Sequence, residues 1–192
     1  MKTKPALLVL IVLMFSWVTP ILLQGAEGKY APVLLVVDVQ NVWLPMMADA
    51  DRTGALEEIN RAIAFFRERE WPVIAVYHTD PQRGPEPGTE PFEFPESVAI
   101  TPDDFKLIKN YPSAFTGTEL TQLLKDQGRD TVILCGLSAT GCVLATYYGA
   151  MDRQFTVVML RESLLSPDAS HTDVIQEICQ SATLEELREL FP

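Results

Sequence analysis

Short apolar runs alternate with longer segments of helical periodicity along most of the chain. The runs have the length of buried parallel strands, and most are rich in valine, isoleucine and leucine. They cover residues 33–37, 73–77, 105–109, 131–135 and 155–160. The segments between and after them predict helices over residues 54–70, 119–127, 143–151, 171–181 and 184–190. This alternation predicts one α/β domain in three layers, a parallel sheet with helices on both faces.

Capping and turn residues mark several of the helix boundaries. Thr118 and Thr183 can cap the helices that follow them. Gly128 ends one helix, and the pair Trp71-Pro72 ends another. These residues support the predicted helices, but they do not define the exact first and last residue of each helix.

The segment 81–104 has no visible period. It holds six of the fourteen prolines, several acidic residues, and Phe92 and Phe94 as its main apolar anchors. A loop of this length inside a compact domain is usually functional. We therefore expect a lid or an oligomer contact, with a solvated connection as the alternative.

The N-terminus has the features of an export signal. Two lysines precede an uncharged apolar run over residues 5–23, and the small residues Gly25 and Ala26 follow it. We expect residues 1–25 to be removed and residues 26–192 to form the domain. A retained N-terminal anchor is the alternative, since the run is close to the shortest membrane span. The protein is thus expected to be exported, to the periplasm or outside the cell, and to contact a membrane only if the segment is retained.

Composition excludes several classes of protein. The chain is 47% hydrophobic and 21% charged, which is typical of a folded globular domain. Its net charge of -11 argues against a nucleic-acid partner, because phosphate binding needs clusters of lysine and arginine. Three cysteines without a CxxC pair, and only two histidines, give no metal signature. The simplest expectation is three reduced thiols.

Three chemically useful side chains are predicted at the same edge of the sheet. Asp38 follows the first strand, Lys109 ends the third, and Cys142 lies between the fourth strand and its helix. A helix N-terminus favours a thiolate, and a carboxylate there could take the thiol proton. The alternatives are that Asp38 caps a turn and that Cys142 is a small buried residue. Neither a GxSxG nucleophile elbow nor a phosphate-binding glycine loop is present.

Three blocks of sequence resemble the isochorismatase-like cysteine hydrolases. The blocks are residues 34–41 (LLVVDVQN), Lys109 with residues 113–120 (SAFTGTEL), and residues 136–143 (GLSATGCV). They come in the family's order, and the resemblance covers roughly residues 32–182. It implies a Rossmann-like sheet and a catalytic triad.

The resemblance assigns the triad to Asp38, Lys109 and Cys142. It also implies a cis peptide at about Leu137-Ser138 and an oxyanion hole formed by the backbone N–H groups of Ser138 and Cys142. The implied reaction is hydrolysis of a small amide, ureido or carbamoyl compound through a thioester on Cys142. Vinyl-ether or ester hydrolysis on the same fold, or a catalytically silent binding protein, are the alternatives.

The chain departs from the metal-dependent nicotinamidases of this family. Their Asp-x-His pair is missing, and His78 is the only histidine in the corresponding region. We therefore expect no catalytic metal. The resemblance also implies a small-molecule substrate, no cofactor and a homo-oligomeric enzyme. Pocket candidates by position are Gln40, Trp43, His78, Tyr111 and Phe115. The aromatic candidates could equally be core, and His78 could be structural.

Overall fold

The computed structural model describes residues 30–47 and 49–191. The predicted export signal, residues 1–25, lies outside the described residues. Within the described ranges, no helix combines the length and the apolar character needed to cross a membrane.

A single parallel sheet forms the middle layer. Its strands are β1 Pro32–Val37, β2 Val73–His78, β3 Phe105–Lys109, β4 Thr131–Leu137, β5 Thr156–Leu165 and β6 Ser181–Ala182. The strand order across the sheet is β3-β2-β1-β4-β5-β6, and every neighbouring pair is parallel. The predicted α/β class with a parallel sheet is confirmed.

Helices cover both faces of this sheet. They are α1 Asp49–Glu68, α2 Leu120–Asp126, α3 Leu144–Met151, α4 Ala169–Ile178 and α5 Leu184–Leu190. One apolar core lies between the sheet and helices α1 and α5, and the other between the sheet and α2, α3 and α4. Alternate residues of β1 serve the two cores: Leu34 packs into the first and Leu35 into the second. This two-sided burial explains why the central strands are continuously apolar.

The strand order reverses between β1 and β4. From β1 the chain adds β2 and β3 on one side, and from β4 it adds β5 and β6 on the other. Open α/β sheets place their ligands in the crevice at such a point, outside the carboxyl ends of the strands. Gly136 permits the close approach here: it has φ +106, and a Cβ at this position would collide with the carbonyl oxygen of Val37.

Several element boundaries differ from the predicted ones. Helix α1 begins at Asp49, before the predicted start, and α4 begins earlier because the Asp168 side chain accepts from the Ser170 N–H. Strand β5 continues past residue 160 to Leu165, through an irregular register in which Glu162 has φ 65. Ser181, the last residue of the helix predicted over 171–181, instead pairs with β5 together with Ala182.

The capping predictions have mixed outcomes. Thr183 forms a full capping box with Glu186, and Gly128 has φ +63 just after α2, so both assignments are confirmed. Thr118 is one residue too early for its predicted role, since Glu119 is the cap residue of α2. Its hydroxyl nevertheless accepts from the N–H of Leu120, the first residue of α2, at 3.4 Å, and donates to the carbonyl oxygen of Ala114 at 2.6 Å.

The loop over residues 81–104 is packed against the domain. Phe92 is fully buried and stacks on Tyr77, with 5.0 Å between ring centroids. The N–H groups of Asn41 and Val42 donate to loop carbonyl oxygens at 2.9 and 3.0 Å. The loop is therefore anchored at a few buried points such as Phe92, while most of its other residues are exposed. A role as lid or oligomer contact, with a solvated connection as the alternative, stays a prediction.

Candidate active site

Asp38 is placed at the switch point by a sharp turn after β1. Its φ of 54 lies in the left-handed region, and its N–H donates to the carbonyl oxygen of Val76 at 2.9 Å. Aspartate tolerates this conformation better than most residues. The side chain is buried, with 3% of the residue exposed.

Lys109 reaches Asp38 from two strands away. Neighbouring strands are about 4.8 Å apart, so the roughly 10 Å from β3 to β1 is bridged by the Lys109 stem, the Asp38 side chain and the hydrogen bond between them. Its Nζ donates to Oδ2 of Asp38 at 2.8 Å, and the two side chains are 0% and 4% exposed. A shorter basic side chain at this position would not close the ion pair.

Cys142 lies in a wide turn, Ala139–Val143, between β4 and α3. The carbonyl oxygen of Ser138 accepts from the N–H groups of Gly141 and Val143, at 2.9 and 3.2 Å. The cis peptide expected between Leu137 and Ser138 is present. Sγ of Cys142 lies within 4.8 Å of a carboxylate oxygen of Asp38. The structure thus brings together the three residues that the sequence placed at one edge.

The electrostatics of this cluster favour a resting thiol. The pKa of Cys142 is raised to about 12, first by burial and then by the nearby Asp38 carboxylate, against the opposing effect of Lys109. In the resting site burial and the carboxylate thus oppose the thiolate that the helix terminus alone would favour. Burial also raises the pKa of Asp38, which Lys109 opposes. A carboxylate with a raised pKa is a stronger base.

Only one of the two carboxylate oxygens of Asp38 has a hydrogen-bond partner among the described residues. Oδ2 is bound to Lys109, while Oδ1 is buried without a hydrogen bond of ordinary geometry to any described residue. An unpaired buried carboxylate oxygen is costly in a purely structural role. It is, however, suited to receive a proton from the adjacent thiol.

The predicted pocket residues fall into two groups. His78 and Trp43 lie beside the cluster, with 6.4 Å between their ring centroids, and Tyr111 is 55% exposed nearby in the chain. Phe115 is buried and stacks on Phe155 at 5.7 Å, so it belongs to the core. The prediction that Gln40 contacts the substrate is also wrong, because its side-chain amide is buried and already hydrogen-bonded to the Phe92 carbonyl oxygen.

Two residues of the site were missed or misassigned by the sequence reasoning. The Gln40 side chain accepts from the His78 N–H at 2.8 Å and donates to the Phe92 carbonyl oxygen at 2.8 Å. It therefore joins β2 to the long loop. Thr146, one turn after Cys142 in α3, is fully buried and bonds to the backbone on both sides of the site. The only sequence feature that points to Thr146 is its position four residues after Cys142. Every helix has residues at this spacing, so the feature does not single it out.

A metal ion is not suited to this cluster. Donor atoms of Asp38, His78 and Cys142 lie within 4.8 Å of one another. The ammonium of Lys109, however, is 2.8 Å from Asp38 Oδ2 and 3.2 Å from His78 Nδ1. A second cation at that distance from the ammonium would be strongly repelled in a buried site.

Fold and site together define a Rossmann-like α/β domain with a thiol, a carboxylate and an ammonium at its switch point. The isochorismatase domain model matches residues 32–184. The chain belongs to the isochorismatase family of hydrolases.

Named relatives include both family proteins and amidases. An isochorismatase family protein of Bacillus subtilis, YddQ, is 25% identical over 164 residues, covering 83% of each chain. The maleamate amidohydrolase of Pseudomonas putida is 34% identical over 109 residues, covering 50% of each. The crystal structure of N-carbamoylsarcosine amidase from Thermoplasma acidophilum superimposes with a TM-score of 0.69 at 26% identity, covering 79% of this chain and 94% of that one.

Proposed function

We propose that this hydrolase cleaves the C–N bond of a small amide, ureido or carbamoyl compound through a thioester on Cys142. The observation that carries the proposal is the buried cluster in which Sγ lies within 4.8 Å of the Asp38 carboxylate, itself bound to Lys109 at 2.8 Å. The similarity to a maleamate amidohydrolase and to an N-carbamoylsarcosine amidase supports an amide-type bond.

In the first half of the proposed reaction, Asp38 takes the thiol proton as Sγ attacks the carbonyl carbon. Because the resting thiol has a raised pKa, transfer is coupled to attack and yields a tetrahedral oxyanion. Backbone N–H groups of Ser138 and Cys142 would stabilise that charge. The protonated Asp38 then gives its proton to the leaving nitrogen, the C–N bond breaks, and ammonia or an amine departs.

In the second half, water cleaves the thioester. Asp38, ionised again, takes a proton from the water as its oxygen attacks the acyl carbon. The C–S bond breaks, and the proton returns from Asp38 to the sulfur to regenerate the thiol. Lys109 stays positively charged throughout and stabilises whichever of the two partners is anionic.

Screening for ammonia release tests the proposal. A panel of primary amides and ureido acids would be incubated with the wild-type protein and with Cys142→Ala as control. We expect release from at least one compound by the wild type and none above background by the variant. Undiminished release by Cys142→Ala would contradict the thioester. Turnover confined to vinyl ethers or esters would contradict the amide assignment.

We also propose that the enzyme acts outside the cytoplasm, on the basis of the apolar run over residues 5–23 after two lysines. Expression of the full chain in a bacterial host, followed by fractionation and intact-mass measurement, tests this. We expect a periplasmic species shortened by about 25 residues, the length of an ordinary signal. A full-length species in the cytoplasm would contradict export.

A further inference from the structure

Lys109 crosses the end of β2 on its way to Asp38, and His78 is the residue at that end. His78 and Lys109 are register partners in the β2–β3 pair, so their side chains lie side by side. Nζ of Lys109 is 3.2 Å from Nδ1 of His78. Because an ammonium has donors only, Nδ1 must be the acceptor, which leaves the ring hydrogen on Nε2.

Buried hydrogen bonds from Gln40 hold the backbone that carries the His78 imidazole. The Gln40 side chain accepts from the His78 N–H at 2.8 Å and donates to its carbonyl oxygen at 3.1 Å. Gln40 is itself fully buried and bonded to the long loop, and the ring of Trp43 lies beside the imidazole. The backbone of His78 is therefore fixed from the turn after β1 as well as from its own strand.

We propose that His78 is a positioning residue, whose neutral ring holds the Lys109 ammonium between Asp38 and Cys142. The inference rests on the proposed function of this site and adds a fourth residue to it. Of the three N–H groups of Lys109, one donates to Asp38 Oδ2 and one to His78 Nδ1. The third remains for the side of the site where Cys142 lies, and the positive charge of Lys109 lowers the pKa of that thiol.

The groups that face His78 come from four segments. They are Lys109 of β3, Asp38 after β1, Cys142 after β4, and Asp80 in its own loop. Burial and Lys109 lower the pKa of His78, and the two carboxylates oppose them less strongly. A protonated ring would lose the acceptor at Nδ1 and place two cations 3.2 Å apart. Acid should therefore displace the ammonium from its position.

Nitrogen-detected NMR tests the geometry without any substrate. The chain has two histidines, and the exposed His171 serves as the internal reference. We expect His78 in the Nε2–H tautomer, with an Nδ1 resonance typical of a hydrogen-bond acceptor that shifts in Lys109→Met while His171 does not. An Nδ1–H tautomer, or a resonance indifferent to Lys109→Met, would overturn the proposal.

A pair of variants tests the consequence for the nucleophile. Asparagine can present an acceptor at the position of Nδ1, and leucine of similar size cannot. Alkylation of Cys142 by iodoacetamide, followed by peptide mass spectrometry, should slow about tenfold in His78→Leu, corresponding to one pKa unit. It should stay near the wild-type rate in His78→Asn and in the control His171→Asn. Equal slowing in the leucine and asparagine variants would overturn the role.

Turnover adds a kinetic signature that a purely structural role would not give. We expect His78→Leu to lose about 100-fold in kcat with little change in KM, the size of effect caused by misplacing a catalytic group, and His78→Asn to recover most of it. A loss confined to KM would overturn the role. If no amide is turned over, the proposed function fails while the tautomer and alkylation results still decide this inference.

Discussion

The hydroxyl of Thr146 donates a hydrogen bond to the carbonyl oxygen of Cys142 at 2.7 Å and accepts one from the N–H of Ala114 at 3.0 Å. One buried side chain thus joins the backbone of Cys142 to the segment that follows Lys109. Gly149, one turn further along α3, would meet the Ser113 hydroxyl if it carried a Cβ. The packing of α3 on this segment sets the distance between the two halves of the site.

Replacing Thr146 should therefore uncouple the two halves. Thr146→Val removes the hydroxyl and leaves the buried Ala114 N–H without a partner, which costs about 1–3 kcal/mol in the free energy of unfolding. We expect kcat to fall about tenfold or more as well, because Cys142 loses its fixed position. Chemical denaturation and ammonia release measure the two effects. Thr146→Ser keeps the hydroxyl and should retain most of both; equal damage from serine and valine would contradict this role.

Asp38→Asn should separate proton transfer from thiol acidity. The variant cannot take the thiol proton, so we expect ammonia release to fall about 10²–10⁴-fold. Since the Asp38 charge raises the pKa of Cys142, its removal should lower that pKa and make alkylation of Cys142 at least about tenfold faster. Thiolate absorbance near 240 nm and iodoacetamide kinetics measure the change. Cys179, remote from Asp38, is the internal control. Slower alkylation in the variant would contradict the electrostatic account.

The buried Lys109–Asp38 pair should behave as a unit. Lys109→Met leaves the Asp38 charge buried and unpaired, which costs about 3–5 kcal/mol in the free energy of unfolding at pH 7. The double variant Asp38→Asn/Lys109→Met removes both charges and should regain most of that loss. A double-variant cycle by chemical denaturation gives the coupling. Strict additivity of the two single losses would show that the ion pair carries no stability, contrary to our expectation.

The pH dependence of stability follows from His78. Burial and Lys109 hold its pKa below the ordinary 6.5 in the folded state, so the unfolded chain binds the proton first as pH falls. Stability should therefore decrease as pH drops below 6.5 toward the folded pKa. The raised pKa of Asp38 acts in the opposite direction, because the folded state binds that proton more readily. Chemical denaturation of the wild type and of His78→Asn at several pH values isolates the contribution of the histidine. The free energy of unfolding should fall less below pH 6.5 in the variant than in the wild type. Identical pH profiles would contradict this assignment.

The strands, and the residues at their ends, could be predicted because their signals are local. A fully buried parallel strand is apolar throughout, and the residue that follows it must lie at the carboxyl edge of the sheet. Asp38, Lys109 and Cys142 were found in this way, together with three family-like blocks of sequence. Strand β5 was cut short at residue 160 because Arg161 and Glu162 interrupt its apolar run, although the backbone continues to Leu165.

The support of the site could not be predicted, because it depends on contacts between distant segments. Gln40 reads as a pocket residue from its position after Asp38, and only the fold shows its amide bonded to Phe92, 52 residues away. Phe115 reads equally as pocket or core until Phe155 is placed against it. The effect of burial on the pKa of Cys142 could not be predicted for the same reason: burial depends on the whole domain, whereas the helix terminus is visible in the local sequence.

Mass spectrometry of the enzyme during turnover tests the central claim most directly. The protein would be quenched in acid while hydrolysing an amide found in the ammonia-release screen, digested, and searched for modified peptides. We expect the acyl group of the substrate on Cys142 as a hydroxylamine-sensitive thioester, and none on Cys135, on Cys179 or on the Cys142→Ala variant. Robust turnover with an unmodified Cys142, or turnover retained in Cys142→Ala, would contradict the account.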